Sequence, residues 1–168
     1  GQFSARLHAL TGAKVLGVDL SEERVALLRS VGVDAVTSIE DAQAILPDGA
    51  DVIVDATGAN GIVPSAIALA NELPWDDSHF NASRYVVQGS YPEDFCIPYQ
   101  AAFQKRLTFL LPRDAQPRDF RTVLDFIKRD KLKVRDTMTE VVKPSDAPRI
   151  YRALQNREIM TAVFQWHD

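Results

Sequence analysis

The chain of 168 residues contains one cysteine, Cys96, so it can form no internal disulfide, and this usage fits a reducing compartment. Histidine is almost as scarce: His8, His79 and His167 are scattered, and together with Cys96 they show no metal-ligand spacing. We therefore expect each of these residues to be structural or solvated. No apolar run approaches the roughly 20 residues needed to cross a bilayer. Lysine and arginine number 19 against 23 acids, and a net charge of −4 speaks against a nucleic-acid surface, which wants a basic face. There is no G-x-S-x-G nucleophile turn, no internal repeat and no low-complexity tract. No basic-then-apolar leader precedes the first helical segment, so a secretory signal is expected to be absent or removed and the chain to be cytoplasmic. On that expectation the glycosylation triplet Asn81-Ala82-Ser83 is discounted.

Hydrophobic residues at 46% and charged residues at 25% are ordinary for a globular chain, and the length suits one domain, residues 1–168. Phe3, Leu7 and Leu10 form an apolar stripe at helical spacing, with Gly12 as its stop. Lys14 to Asp19 reads as a short strand covered on both faces. Ser21 then caps a helix with Val25, Leu28 and Val31 on one side, ended by Gly32, and Glu22 and Glu23 suit its positive end. Ala35–Thr37 is a strand, Ser38 caps a helix to about Leu46, and DVIVD (residues 51–55) is another buried strand. A helix follows with Ile62, Ala66, Leu69 and Leu73. The polar segment Pro74 to Ser83 reads as a surface loop. Arg84–Gln88 and Leu107–Leu111 are strands, with Phe103 between them. Pro117 opens a helix carrying Phe120, Val123, Leu124 and Ile127. Thr137–Val142 is extended, Ser145 and Asp146 cap a helix through Leu154, and Thr161–Trp166 closes as a strand. Strands alternating with helices in this way predict an α/β fold with a doubly wound parallel sheet.

Three turns in this pattern carry chemistry. Asp19 ends a strand at the entry to a helix, where an acid accepts hydrogen bonds from both ribose hydroxyls of NAD and repels a 2′-phosphate. Its bland alternative is an acid that helps start the helix. Arg24, one turn into that helix, is placed to cover an adenine face or reach a phosphate, or is simply solvated. Thr57 and Gly58, in DATG, follow the next strand; glycine permits close backbone approach and threonine can donate a hydrogen bond. Gly89, Ser90 and Tyr91 take the equivalent place after the strand beyond. No residue qualifies as catalytic and none as a metal ligand.

GQFSARLHALTGAKVLGVDLSEERVALLRSVGVDAV, DVIVDATG, RYVVQGSY, VLDFIKRDKLKV and SDAPRIYRALQNREIMTAVFQW together resemble the cofactor domain of medium-chain, zinc-type alcohol dehydrogenases, over nearly the whole chain. The resemblance implies a Rossmann-like fold in which Gly1 is the last glycine of G-x-G-x-x-G and the helix through Leu10 faces the pyrophosphate. It implies that the first strand, the two earlier glycines and a catalytic domain with any zinc lie outside this sequence, so the piece alone is expected to be inactive. It further implies that Asp19 holds the adenosine ribose, Arg24 flanks the adenine, and Thr57, Gly58, Gly89 and Ser90 line the cofactor. Leu110 and Leu111 would then lie near the nicotinamide and a homodimer edge formed by Leu107–Leu111. One departure from the family pattern is Met160, which stands where a basic residue often precedes the final strand; Arg157 lies three residues earlier.

The reading is therefore an NAD-binding domain of an oxidoreductase that moves hydride between NAD(H) and a small alcohol or carbonyl substrate, with NADP less favoured and no nucleic-acid or membrane partner. Two alternatives stay open. One is an S-adenosylmethionine-dependent methyltransferase, for which an antiparallel final hairpin would speak. The other is a non-catalytic nucleotide-binding or assembly domain.

Overall fold

The computed structural model describes residues 1–72 and 82–167. Leu73, His79 and the expected loop over residues 74–81, with Asn81, lie outside the described residues. Two compact units, Gly1–Ala115 and the segment from Gln116 onward, make up the chain.

In the first unit, α1 (Gln2–Leu10) leads to β1 (Leu16–Val18), α2 (Glu22–Ser30), β2 (Asp34–Val36) and α3 (Ile39–Ile45). Then come β3 (Val52–Asp55), α4 (Ile62–Ile67), β4 (Arg84–Val87), α5 (Tyr99–Gln104) and β5 (Thr108–Leu110). The caps act as expected: Ser21 Oγ accepts the Arg24 N–H at 3.4 Å and Ser38 Oγ the Asp41 N–H at 3.0 Å. All strand pairs are parallel. β1 pairs with β2 with Leu16 opposite Asp34, while β3, β4 and β5 form a second sheet in that order, with Ile53 opposite Tyr85 and Tyr85 opposite Phe109. Among the described residues β1 and β3 each have one hydrogen-bonded neighbour. Each strand thus keeps an open edge, and Val18 and Val52 are exposed, not covered as the apolar runs suggested.

The main core joins Val36 and Ala42 to Ile53, Val63, Ala66, Ile67, Leu69, Tyr85 and Val87. Tyr85 is fully buried and stacks on Phe109 with ring centroids 5.0 Å apart. A smaller cluster of Val25, Leu28, Val33 and Ala35 lies under α2. Here α1 departs from its predicted stripe, since Phe3 and Leu10 are exposed while Ala5 and Ala9 pack on that cluster. Small side chains let two helices approach closely, and Gln2 Nε2 seals the contact by donating to the Arg24 carbonyl at 2.9 Å. Ser83, expected in a surface loop, is wholly buried, and its Oγ accepts the Asn71 N–H at 3.1 Å.

Period-2 alternation decides which side chains of β3 and β4 face inward. Ile53 and Asp55 share one face of β3, and Tyr85 and Val87 share the matching face of β4; all four are buried. Beyond these strands the two turns touch through backbone. Gly58 has φ of 62°, and a Cβ on it would lie 2.2 Å from the Ser90 carbonyl oxygen. A Cβ on Gly89 would lie 2.4 Å from Gly58 N and 3.1 Å from Thr57 N. Only glycine fits at either place.

The second unit contains α6 (Pro117–Lys128), β6 (Glu140–Val142), α7 (Ala147–Gln155) and β7 (Ala162–Phe164). Pro117 takes the first position of α6, and the Gln116 N–H donates to the Asp119 carboxylate at 2.8 Å. Of the predicted stripe, Phe120 and Leu124 are exposed while Val123 and Ile127 are half-buried. Pro144–Asp146 forms a 3-10 turn, and Asp146 makes no side-chain cap, because its backbone is already helical where a capping residue is extended. Part of the predicted extended piece is likewise a 3-10 turn, Arg135–Thr137. β6 and β7 pair parallel, Glu140 opposite Ala162, which is not the antiparallel hairpin of the transferase alternative.

Replacing the buried Ile67 by alanine is expected to cost about 2–5 kcal/mol. Gly89→Ala should cost about 1–3 kcal/mol through backbone overlap, and Leu20→Ala, at a side chain 91% exposed, should stay within about 0.5 kcal/mol. Urea denaturation of the three variants checks this ordering, and a Gly89→Ala variant as stable as Leu20→Ala would refute the close turn contact.

Candidate cofactor site

The carboxyl ends of β1, β3, β4 and β5 are followed by Asp19, Thr57, Gly89 and Leu111, and the site is built from these ends upward. Asp19 stands just past β1. One carboxylate oxygen accepts the Ser21 N–H at 3.0 Å, which holds the side chain at the mouth of α2. The other lies 3.7 Å from the Arg24 guanidinium, too long for a strong bond, and both side chains are about one-third exposed. An ion pair of this kind contributes only about 0–1 kcal/mol and gives way readily to a better partner.

Gly1 caps α1 without a side chain, leaving first-turn N–H groups open to an anion. The neighbouring Gln2 ties this end to α2 by donating to the Arg24 carbonyl at 2.9 Å. On its other side a Cβ built on Gly1 would rest 3.9 Å from the Ala56 Cβ, so the amino end of α1 borders both the β1 and the β3 turns. The structure thereby brings Gly1, Asp19 and Arg24 into one group and Thr57, Gly58, Gly89 and Ser90 into a second, joined at Ala56. Leu111 follows the next strand of the same sheet and is exposed.

Asp55, the first residue of DATG and not among the expected site residues, organises the second group. The residue is 4% exposed. One oxygen accepts the Thr57 N–H at 2.9 Å and the Thr57 hydroxyl at 2.7 Å; the other accepts the Tyr85 hydroxyl at 3.1 Å and a very short bond from the Tyr91 hydroxyl. Burial pushes its acidity toward the neutral form, but these donors outweigh it and hold the carboxyl below the usual carboxylate range. The same residue's carbonyl accepts the Gln88 and Gly89 N–H groups, each at 2.8 Å. Burial, with the neighbouring carboxylate, raises both tyrosines above their ordinary values.

The Thr57 hydroxyl proton is therefore spent on Asp55, and its oxygen accepts the Ala59 N–H at 3.1 Å. As placed, Thr57 is held by the carboxylate, to which its hydroxyl donates. The signal for Asp55 was present in DVIVD: an acid one period beyond Ile53 must face the core and must be supplied with donors.

The other reactive side chains stay apart. Cys96 is an exposed free thiol, and His8 and His167 are exposed. Among the described residues no group of three or more His, Cys, Asp or Glu side chains gathers to hold a metal, so no step is assigned to zinc here. Among them, too, no helix is long and apolar enough to cross a membrane.

Residues 1–73 match the family model described as zinc-binding dehydrogenase. Over 162 residues the chain is 25% identical to the probable D-xylulose reductase A of Arthroderma otae, covering 90% of this chain and 43% of that protein. It is also 25% identical over 158 residues to the D-xylulose reductase A of Aspergillus niger, covering 88% of this chain and 42% of that one. The chain thus spans less than half the length of these relatives. Among solved structures, the alcohol dehydrogenase TADH from Thermus sp. ATN1 superimposes with a TM-score of 0.82 at 18% identity, over 99% of this chain and 48% of that chain. Family match and relatives liken this chain to zinc-type dehydrogenases, and its Rossmann-like fold is shared with solved alcohol dehydrogenases.

Proposed function

We propose that the chain is a single NAD-binding domain of an oxidoreductase acting on an alcohol or carbonyl. The observation that carries this reading is Asp19 held at the mouth of α2, with the amino end of α1 tied to α2 through Gln2 and Arg24, beside two turns in which glycine is sterically required. Carboxylate, anion-seeking helix start and close-approach turns are the three features a dinucleotide needs at the carboxyl ends of parallel strands.

On this reading Asp19 accepts the adenosine ribose hydroxyls, Arg24 gives up its long ion pair and lies along the adenine, and the α1 N–H groups face the pyrophosphate. The remaining half of the dinucleotide runs over Thr57, Gly58, Gly89 and Ser90 toward Leu111. The nicotinamide supplies the hydride chemistry when bound; the chain's residues bind, orient and desolvate it. The catalytic and substrate-choosing residues belong to parts of such enzymes that this chain does not span.

Titration calorimetry should give an NADH dissociation constant between about 1 μM and 1 mM, the range in which enzymes commonly hold such ligands. An Asp19→Ala variant should weaken NADH by about tenfold, the loss expected for a charge-assisted ribose contact. The same variant should narrow the preference for NADH over NADPH, because it removes the charge that repels a 2′-phosphate. A wild-type chain blind to NADH at millimolar concentration would overturn the reading.

We also propose a homodimer joined along the open edge of β5, where Leu110 and Leu111 are exposed. Phe109 is unsuitable for testing it, since its ring stacks on buried Tyr85. Leu110→Asp should convert dimer to monomer in light scattering; an unchanged dimer would exclude this edge.

A further inference from the structure

We propose that Asp55 is a positioning residue for the half of the dinucleotide beyond the pyrophosphate, setting the Thr57–Gly58 and Gly89–Tyr91 turns at the spacing that half requires. This inference rests on the cofactor reading above and assigns a role to a residue that touches no cofactor atom itself.

The geometry points to it because the hydrogen-bond partners of Asp55 lie either in the turn after β3 or on β4 and the turn beyond it. Thr57 is bound through both N–H and hydroxyl on the β3 side. Tyr85 and Tyr91 are bound through their hydroxyls on the β4 side, and the Asp55 carbonyl holds Gln88 and Gly89 as well. The carboxylate is thus a bridge between two turns that already meet with no room for a Cβ. A second tie, Asn60 Nδ2 donating to the Glu93 carboxylate at 3.1 Å, links the same two segments farther out.

A buried charge is a costly way to fill space, and packing alone would be served as well by an apolar side chain. What a carboxylate adds is two acceptor oxygens with about four lone-pair sites in fixed directions. Here one oxygen serves the β3 turn and the other serves the β4 tyrosines, which fixes each turn relative to the other. Asparagine at this position keeps only one acceptor oxygen, so it can satisfy one side or the other. The Asp19 group lies past a different strand and, among the described residues, shares no hydrogen bond with this network. Loosening the bridge should therefore act on one half of the ligand.

The test titrates the chain with NADH and, separately, with AMP, which carries only the adenosine half. Asp55→Asn and Tyr91→Phe are each expected to weaken NADH about tenfold, equivalent to one charge-assisted hydrogen bond, and to change AMP less than about twofold, within the ±0.5 kcal/mol of an uninvolved site. Tyr91→Phe removes only one donor, so it serves where Asp55→Asn does not fold. Ultraviolet titration gives a readout that packing alone does not move. In Asp55→Asn the Tyr91 hydroxyl should ionise closer to its ordinary value, because the carboxylate that helps hold it up is gone.

The pH dependence has a definite sign. Asp55 is held below its ordinary value of 3.8, so its contribution to stability is complete above that pH and is lost as pH falls through the lowered value. The urea midpoint of wild type should exceed that of Asp55→Asn at neutral pH, and the gap should close only below pH 3.8. NADH affinity unchanged in folded variants, or AMP affinity falling in parallel with NADH, would overturn the inference while leaving the cofactor reading standing. A wild-type chain that binds neither ligand would overturn both.

Discussion

The bridge that Asp55 makes between the ends of β3 and β4 is the constraint around which the first unit is arranged. It is a charged group in a place where charge is expensive, satisfied by Thr57, Tyr85 and Tyr91. Remove those donors and the carboxylate would have to protonate or pull water into the core. Remove the carboxylate and two buried or half-buried tyrosine hydroxyls lose their acceptor. Tyr85 in turn anchors the main core through Phe109, so the polar bridge and the apolar core share a residue and are not independent.

Steric and electrostatic demands coincide at this point. The Gly58 and Gly89 turns can meet because neither carries a Cβ, and they stay together because Asp55 takes Thr57, Tyr85 and Tyr91 donors on its carboxylate and the Gln88 and Gly89 N–H groups on its carbonyl. Around Asp19 the logic is different. That carboxylate is partly open, tied to one backbone N–H and opposed by a guanidinium at long range. The first arrangement suits a scaffold that does not move; the second suits a group whose partner comes from solution. A site with one rigid wall and one exchangeable charge can orient a long ligand without first losing much of its own hydrogen bonding.

Much of this was readable from the chain. The order of strands and helices followed from apolar spacing, and the Ser21 and Ser38 caps followed from hydroxyls placed just before acidic first turns. The positions of Asp19, Gly58 and Gly89 at strand ends also held. Other features were not readable. The stripe of Phe3, Leu7 and Leu10 suggested which face of α1 is packed, but Ala5 and Ala9 are the residues that meet the α2 cluster. Close helix approach rewards small side chains, and a hydrophobicity pattern does not register that. Asp146 looked like a cap by residue type, yet the backbone at that position is already helical. Ser83 sat in a polar stretch and is buried, because a single hydroxyl can be absorbed when Asn71 and Ala50 offer partners.

By itself the amino-acid sequence determined the alternation of strand and helix and the small or acidic residues at each turn, since both are written in local spacing and in residue types that few conformations tolerate. Tertiary structure alone decided which of those turns touch and where each hydroxyl spends its proton. Asp55 shows the difference: alternation along β3 marks it as inward-facing, but only register with β4 brings Tyr85 near, and only the turn beyond β4 delivers Tyr91. Those contacts join residues 30 and 36 positions apart. Hydrogen-bond geometry is settled over a few ångströms of space, and separation along a chain carries no record of it.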